Sequence, residues 1–373
     1  MLPFFNLILS ATLIIFPFYL INKDKENFYL GLLYLFHLSF FIINFFYKDY
    51  FASDVNGYLK WSVGQDGSAI NGMQFQLGKG ASTVTYMVEK LTYFKIETIN
   101  MHLLFSQAGF YGLFLFYKLI NKYNNNIINK LIFFIPSWHF YTSNVGKDSL
   151  ICLLLGLCLL FYDNRKIIYF FITVLFIYLI RPNVSILFST LLIFLFLNVF
   201  FQKYHFYLRK NFNIKILFSS GVIITLLFVL IYIIDFHDKF NDVLSFIKQR
   251  QTYFYLGNTG YMVGEYNFLK SIFYYLFMPL GINLEKNIFY FYQGLENTLL
   301  LIFVLYSIFS FNYKKIKIFS LEIFLLLFIC MFLFLVSIVN TNLGLSGRQK
   351  WMILPFFFYI FSIYSNHSIF SKK

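Results

Sequence analysis

Charge is the scarcest commodity in this chain: charged residues make up 12% of its 373 positions, against 59% hydrophobic ones, and only 16 are Asp or Glu. With a mean hydropathy of +0.68, that excludes an ordinary soluble domain. Cysteine is nearly absent too. The three present, Cys152, Cys158 and Cys330, all lie within apolar runs, which excludes a disulfide framework and leaves no metal-ligand spacing. There is no phosphate loop, dinucleotide fingerprint, zinc-type His/Cys cluster or Gly-Xaa-Ser-Xaa-Gly elbow, so neither metal nor cofactor is expected. Alanine occurs only at Ala11, Ala52, Ala69, Ala81 and Ala108, while Phe and Tyr number 55 and 30. Such a skew is what an AT-rich coding bias would give, so single aromatics carry little functional weight.

Long apolar runs take the place of what is missing. Runs close to the twenty residues needed to cross a bilayer recur along the chain, and the expected class is an all-α, polytopic transmembrane helical bundle. The sequence begins Met-Leu-Pro without a basic leader, so the first run reads as a span and not a cleaved signal. Eleven spans are expected: 2–21, 28–47, 98–120, 131–142, 149–162, 167–180, 184–201, 216–234, 294–311, 319–339 and 351–366. They form a single membrane domain over 1–373, with external loops at 48–97 and 235–293.

The charges between these runs fall into two unlike groups. Lys118, Lys122 and Lys130; Arg165 and Lys166; Lys203, Arg209, Lys210 and Lys215; Lys314, Lys315 and Lys317; and Lys372 and Lys373 occupy short loops. Short loops rich in Lys and Arg stay in the cytoplasm. The net charge of +14 therefore reports topology and contact with anionic lipid, with no nucleic-acid partner implied. Acidic and basic residues nearly balance in the longer segments, which then lie outside, with the N-terminus outside and the C-terminus inside. Residues 271–283 are apolar but short and broken by Pro279 and Gly281; a re-entrant or interfacial segment keeps every basic loop on one face. Phe236, Phe240, Val243, Leu244 and Ile247 recur at helical spacing among charges, which predicts an amphipathic helix along the outer surface.

Candidate chemistry collects at the outer ends of spans. Asp54, just after the second span with Tyr58 four residues on, is placed to accept a proton from a sugar hydroxyl; the plainer role is a helix N-cap. In 135–150, Pro136 breaks a helix, and Lys147 and Asp148 begin the next one. Ionisable groups at membrane depth are costly and usually functional. Lys147 is a candidate phosphate contact, and a structural Lys147–Asp148 pair is the plainer alternative. His139, between Trp138 and Phe140, reads as an interfacial belt residue ahead of a catalytic one. Arg181, before Pro182, and Arg348, in a glycine-bearing turn before the last span, could clamp a pyrophosphate by forked hydrogen bonds; snorkelling to lipid head groups is the plainer role. Arg250 is a weaker third candidate. Glu296, at the start of a span, could answer an Arg or Lys across the bundle or do acid–base work.

Several stretches together resemble a known family. Ser-Asp-Val-Asn-Gly-Tyr at 53–58, Pro-Ser-Trp-His-Phe-Tyr-Thr-Ser-Asn-Val-Gly-Lys-Asp-Ser-Leu at 136–150, Arg-Pro-Asn at 181–183, Met-Pro-Leu at 278–280, Gly-Leu-Glu-Asn at 294–297, and Arg348 with Pro355 resemble the O-antigen and capsule repeat-unit polymerases. Those belong to the multispanning glycosyltransferases of the GT-C type, which use lipid-linked donors. The resemblance is one of pattern over most of the chain, and only one acidic residue stands where many such enzymes carry a fuller Asp/Glu set. It implies that Asp54 acts on the acceptor and that Lys147, Arg181 and Arg348 bind phosphate, with Asp148, His139, Arg250 and Glu296 as possible supporting residues. The expected function is polymerisation of undecaprenyl-pyrophosphate-linked repeat units at the outer face of a bacterial inner membrane. The lipid-linked glycan and membrane lipids are the expected partners, and a chain-length regulator is a possible further one. Two alternatives stand beside it: a transferase adding one sugar from a polyprenyl phosphate, and a flippase for the lipid-linked unit. A flippase should show two-fold related halves around a charged central cavity, whereas these spans are uneven and their polar groups collect at one face.

Overall fold

The computed structural model describes residues 2–24, 27–47, 54–62, 76, 79–185, 187–188, 245, 268–280, 288–312, 321–339 and 342–365. All described elements are helical, apart from an isolated bridge between Phe311 and Ser365. In chain order they are α1 (Leu2–Asn22), α2 (Asn27–Tyr47), α3 (Val55–Ser62), α4 (Gly80–Tyr93), α5 (Thr98–Tyr123), α6 (Ile127–Leu131), a 3-10 turn (Ile132–Phe134), α7 (Pro136–Thr142), α8 (Lys147–Asp163) and α9 (Ile167–Ile180). There follow α10 (Phe268–Phe277), α11 (Ile288–Ser310), α12 (Leu321–Val339), α13 (Leu343–Gln349), a second 3-10 turn (Lys350–Met352) and α14 (Leu354–Tyr364).

Four of these helices (α1, α2, α5 and α11) are long and apolar enough to cross a bilayer. The bent pair α7–α8 raises the number to five if it counts as one span. Phe4, Leu7 and Ile15 of α1 and Phe28 and Phe46 of α2 point outward, an apolar surface suited to hydrocarbon and not to water. The chain is thus a helical protein with the makings of a membrane domain. The expected spans 131–142 and 149–162 are not two straight crossings. The first divides into α6, the 3-10 turn and α7, and the axis then bends by 108° into α8. Pro136 sits in the first turn of α7, where its missing N–H costs nothing, so the break comes before the proline-led helix. Most of the expected spans 184–201 and 216–234, the expected surface helix and Arg250 lie outside the described residues.

α5 is the central post. Glycines bring it against α8: an added Cβ at Gly112 would stand 2.4 Å from the Cys152 carbonyl, and one at Gly109 would stand 2.0 Å from the Thr142 oxygen. Small residues let helix backbones approach closely where lipid supplies no hydrophobic drive between them. α10 is ten residues long, too short to cross. Its Tyr275 and Phe277 are buried in the main core. A satellite core of Val55, Tyr58, Val84, Val88, Met101, Phe105 and Val145 pins α3 and α4 onto α5 and onto the α7–α8 break.

Polar contacts gather at two opposite ends of the bundle. At one end Asp24 pairs with Lys118. Asp163 holds Lys122 at 2.7 Å and accepts from the Tyr123 and Tyr359 hydroxyls, and Asn124 donates to Ser365. These residues belong to the basic, short-loop group. At the other end the α1 start is tied to the α4–α5 turn through Asn6, which bonds Lys95, Glu97 and Asn100. The two charge groups separated in the sequence are therefore separated in space.

Candidate functional site

Four separate elements meet at that second end. Asp54 precedes α3 and its carbonyl accepts the Tyr58 N–H at 3.0 Å, so it opens the helix with its backbone and leaves its carboxylate free to reach outward. Lys147 and Asp148 form the first turn of α8. Arg181 follows the last residue of α9, where Pro182 forbids a regular continuation. Arg348 lies in α13, whose start is capped by the Asn342 side chain accepting the Leu345 N–H at 3.1 Å.

Asp148 is the hub. One carboxylate oxygen accepts from Arg181 Nη2 and the other from Arg348 Nε. Arg348 Nη1 reaches 3.1 Å to Asp54 Oδ2. The Lys147–Asp148 pair, the plainer alternative for these residues, does not form among the described residues; Asp148 is taken by the two arginines. Lys147 stands beside them, its stem approaching Gly80 at the start of α4, where a Cβ would lie 3.1 Å from Lys147 Cδ and 1.8 Å from the Ile180 oxygen. Gly80 is thus required for α4 to close over this corner, and Thr83 Oγ1 fastens it with a 2.7 Å bond to the Leu179 oxygen.

The electrostatics favour an added anion. Three cations face two carboxylates. Arg181 Nε is buried with no hydrogen-bond partner, and the Lys147 ammonium makes no hydrogen bond or ion pair among the described residues. Burial works against the charge on Arg348, but Asp148 and Asp54 outweigh it and hold the guanidinium above its ordinary range. Burial pushes the Tyr58 phenol upward, and the Asp54 carboxylate adds to this, so Tyr58 remains a neutral donor beside the cluster. The first turn of α8 adds the positive end of a helix dipole to the same spot. Beneath the ions lies a small cavity with Asp148 and Arg348 on its polar wall and Trp138, Ile151, Leu155 and Trp351 on its apolar wall.

Glu296 lies elsewhere, in a second polar knot. Its carboxylate accepts from Ser137 Oγ and, at 2.9 Å, from the Ser137 N–H, and Lys350 Nζ stands 3.5 Å away. Lys350 also donates to Asn297 Oδ1 at 2.5 Å, and Trp351 Nε1 to Ser137 Oγ at 2.7 Å. Trp351 stacks on Trp138 with centroids 4.8 Å apart. Glu296 does answer a cation across the bundle, and the partner is Lys350. The knot ties α7, α11 and the turn after α13 together. Lys350 was not singled out in the sequence. Its place among Gln349, Trp351 and Met352 was the available signal, since a lysine at the mouth of a span needs a partner.

His139 is neither belt residue nor part of the charged site. It is fully buried, with Nε2 2.6 Å from the Phe133 oxygen and Nδ1 3.1 Å from His37 Nδ1. His37 was not picked out because nothing local distinguishes it from the apolar run around it. Among the described residues no group of three His, Cys, Asp or Glu is arranged to hold a metal ion. No protein-family model, curated protein or solved structure matches this chain.

Proposed function

We propose that the chain is a membrane glycosyltransferase that polymerises undecaprenyl-pyrophosphate-linked oligosaccharide repeat units into O-antigen or capsular polysaccharide at the outer face of the bacterial inner membrane. The observation that carries this reading is the surplus of cationic donors at one point. Arg181, Arg348 and Lys147 arrive from three elements, with a buried Arg181 Nε and a Lys147 ammonium still to be satisfied. A pyrophosphate supplies the oxygens those donors lack, and forked guanidinium–phosphate contacts hold it in a set orientation. The pattern resemblance of the motifs supplies the rest: the lipid carrier, the glycan and the polymerising reaction.

In this mechanism the acceptor sugar hydroxyl attacks the anomeric carbon of the growing glycan, and the bond to the lipid pyrophosphate breaks. Negative charge builds on the departing pyrophosphate, so fixed cations there assist the transition state more than the ground state. Asp54 holds Arg348 through Oδ2, while Oδ1 makes no hydrogen bond among the described residues. That open oxygen orients the acceptor hydroxyl and takes its proton. Asp148 keeps both guanidiniums aimed without leaving the protein's interior.

The test is genetic. In a host lacking its own copy, Arg348→Ala should abolish long chains and leave single-repeat product. Long chains at normal expression overturn the assignment. The deletion strain itself separates the readings: single-repeat caps for a polymerase, full chains lacking a branch for a single-sugar transferase, and lipid-linked unit retained in the cytoplasm for a flippase.

A further inference from the structure

Below the charged site, the described residues hold a buried pair of histidines that the transferase reading does not use. His37 on α2 and His139 on α7 are both fully buried, and their Nδ1 atoms face each other at 3.1 Å. The other two ring nitrogens face carbonyl oxygens: His37 Nε2 lies 3.0 Å from Ser106 O, and His139 Nε2 lies 2.6 Å from Phe133 O. A carbonyl only accepts. Both Nε2 atoms must therefore carry hydrogen. Two neutral imidazoles have no hydrogen left for the contact between the Nδ1 atoms, and two lone pairs would meet there. All three contacts are satisfied at once only with one proton more than two neutral rings possess.

We infer that His37 and His139 form a binding site for one proton, shared between their Nδ1 atoms as an imidazole–imidazolium pair. Burial opposes a charge because an ion loses its hydration there. An aromatic ring offsets part of that cost: Phe40 is stacked near the His139 ring with centroids 6.0 Å apart. Ring faces attract cations, the more so when both are dry. Of the other polar groups on the packed helices, the Ser106 hydroxyl, Gln107 Oε1 and Asn44 Oδ1 are buried with no hydrogen-bond partner among the described residues, and none of them carries a charge. Tyr34 donates to the Ile14 oxygen and accepts from Gln107, and the ring of His102 lies against Phe45. Among the described residues no carboxylate acts on either histidine.

The bound proton fastens α7 to α2. Asn44, two turns after His37, makes a second tie, donating to the Phe140 oxygen at 2.7 Å and to Ser143 Oγ at 2.8 Å. Together these contacts hold the segment that leads into Lys147 and Asp148.

The test is independent of any sugar-transfer activity. Full-length protein labelled with nitrogen-15 histidine, in lipid nanodiscs, would be followed by NMR between about pH 5 and 8, with signals assigned by His37→Gln and His139→Gln. The expected result at the acidic end is two protonated Nε2 atoms and a single proton shared across the Nδ1 pair, seen as coupling between those nitrogens. Two bare Nδ1 atoms throughout the range overturn the inference. In His37→Gln the amide can donate to His139 Nδ1, so His139 should become a neutral ring protonated at Nε2. A doubly protonated His139 in that variant would also overturn the shared site.

Discussion

Asp148 decides the geometry of the charged site, because a carboxylate sunk among two guanidiniums is worth most when neither partner can be removed cheaply. Asp148→Ala leaves two arginines facing each other with one buried Nε already unsatisfied, and should cost about 3–5 kcal/mol. Thermal unfolding in detergent reads this directly; an unchanged midpoint would mean that the arginines find other anchors. Arg348→Lys tests the fork itself. It keeps the charge but cannot bond Asp148 and Asp54 together as Nε and Nη1 do, so long-chain product should fall on the order of tenfold, one hydrogen bond's worth, with single-repeat product retained. The Glu296–Lys350 knot offers a contrast. Lys350→Met alone strands a buried carboxylate and should destabilise strongly, while pairing it with Glu296→Gln should recover much of the loss, as unfolding of the two variants would show. Asp54, Lys147, Arg181 and Arg348 could be picked out from the sequence because each is a charge at the end of an apolar run. For Lys350 the sequence offers only its place at the mouth of a span, and for His37 nothing, since their partners lie fifty and a hundred residues away.

Among the elements, the α5–α8 seam and the α7–α8 break matter most. Gly112 meets the Cys152 carbonyl so closely that even a methyl group must push the helices apart; Gly112→Ala should cost about 1–3 kcal/mol through overpacking. Gly31 has nothing within 4 Å of a built Cβ, so Gly31→Ala should be neutral or slightly stabilising by helix propensity. Equal unfolding midpoints for the two variants would show that the seam is not tightly packed. The break is where the sequence reading and the fold part company. Pro136 and the polar run Ser143–Gly146 announced an interruption, but an interruption has no direction until α2, through Asn44, and α8 settle where the pieces lie.

For the molecule as a whole, polar contacts sort to two ends of a helical bundle and lipid-facing aromatics lie between them. The eleven spans expected from the sequence would place α3 outside and the Asp163–Lys166 turn in the cytoplasm. With the native cysteines replaced, an impermeant thiol reagent should label Lys60→Cys in intact spheroplasts and Arg165→Cys only after permeabilisation. Both positions are exposed. The reverse pattern would turn the protein over and put the charged site in the cytoplasm.

Composition and spacing were enough to determine that the chain is helical, that several helices are apolar enough to cross a membrane, and that its charges are segregated. Those properties depend on transfer of each segment between water and lipid, which is additive along the chain. The tertiary structure alone decided which charges meet. Asp148 chose Arg181 and Arg348 over its neighbour Lys147, Glu296 found Lys350, and His139 turned inward to His37. Pairing depends on distances between distant segments, and those are set by close helix packing at positions such as Gly80 and Gly112, where a single added carbon would not fit.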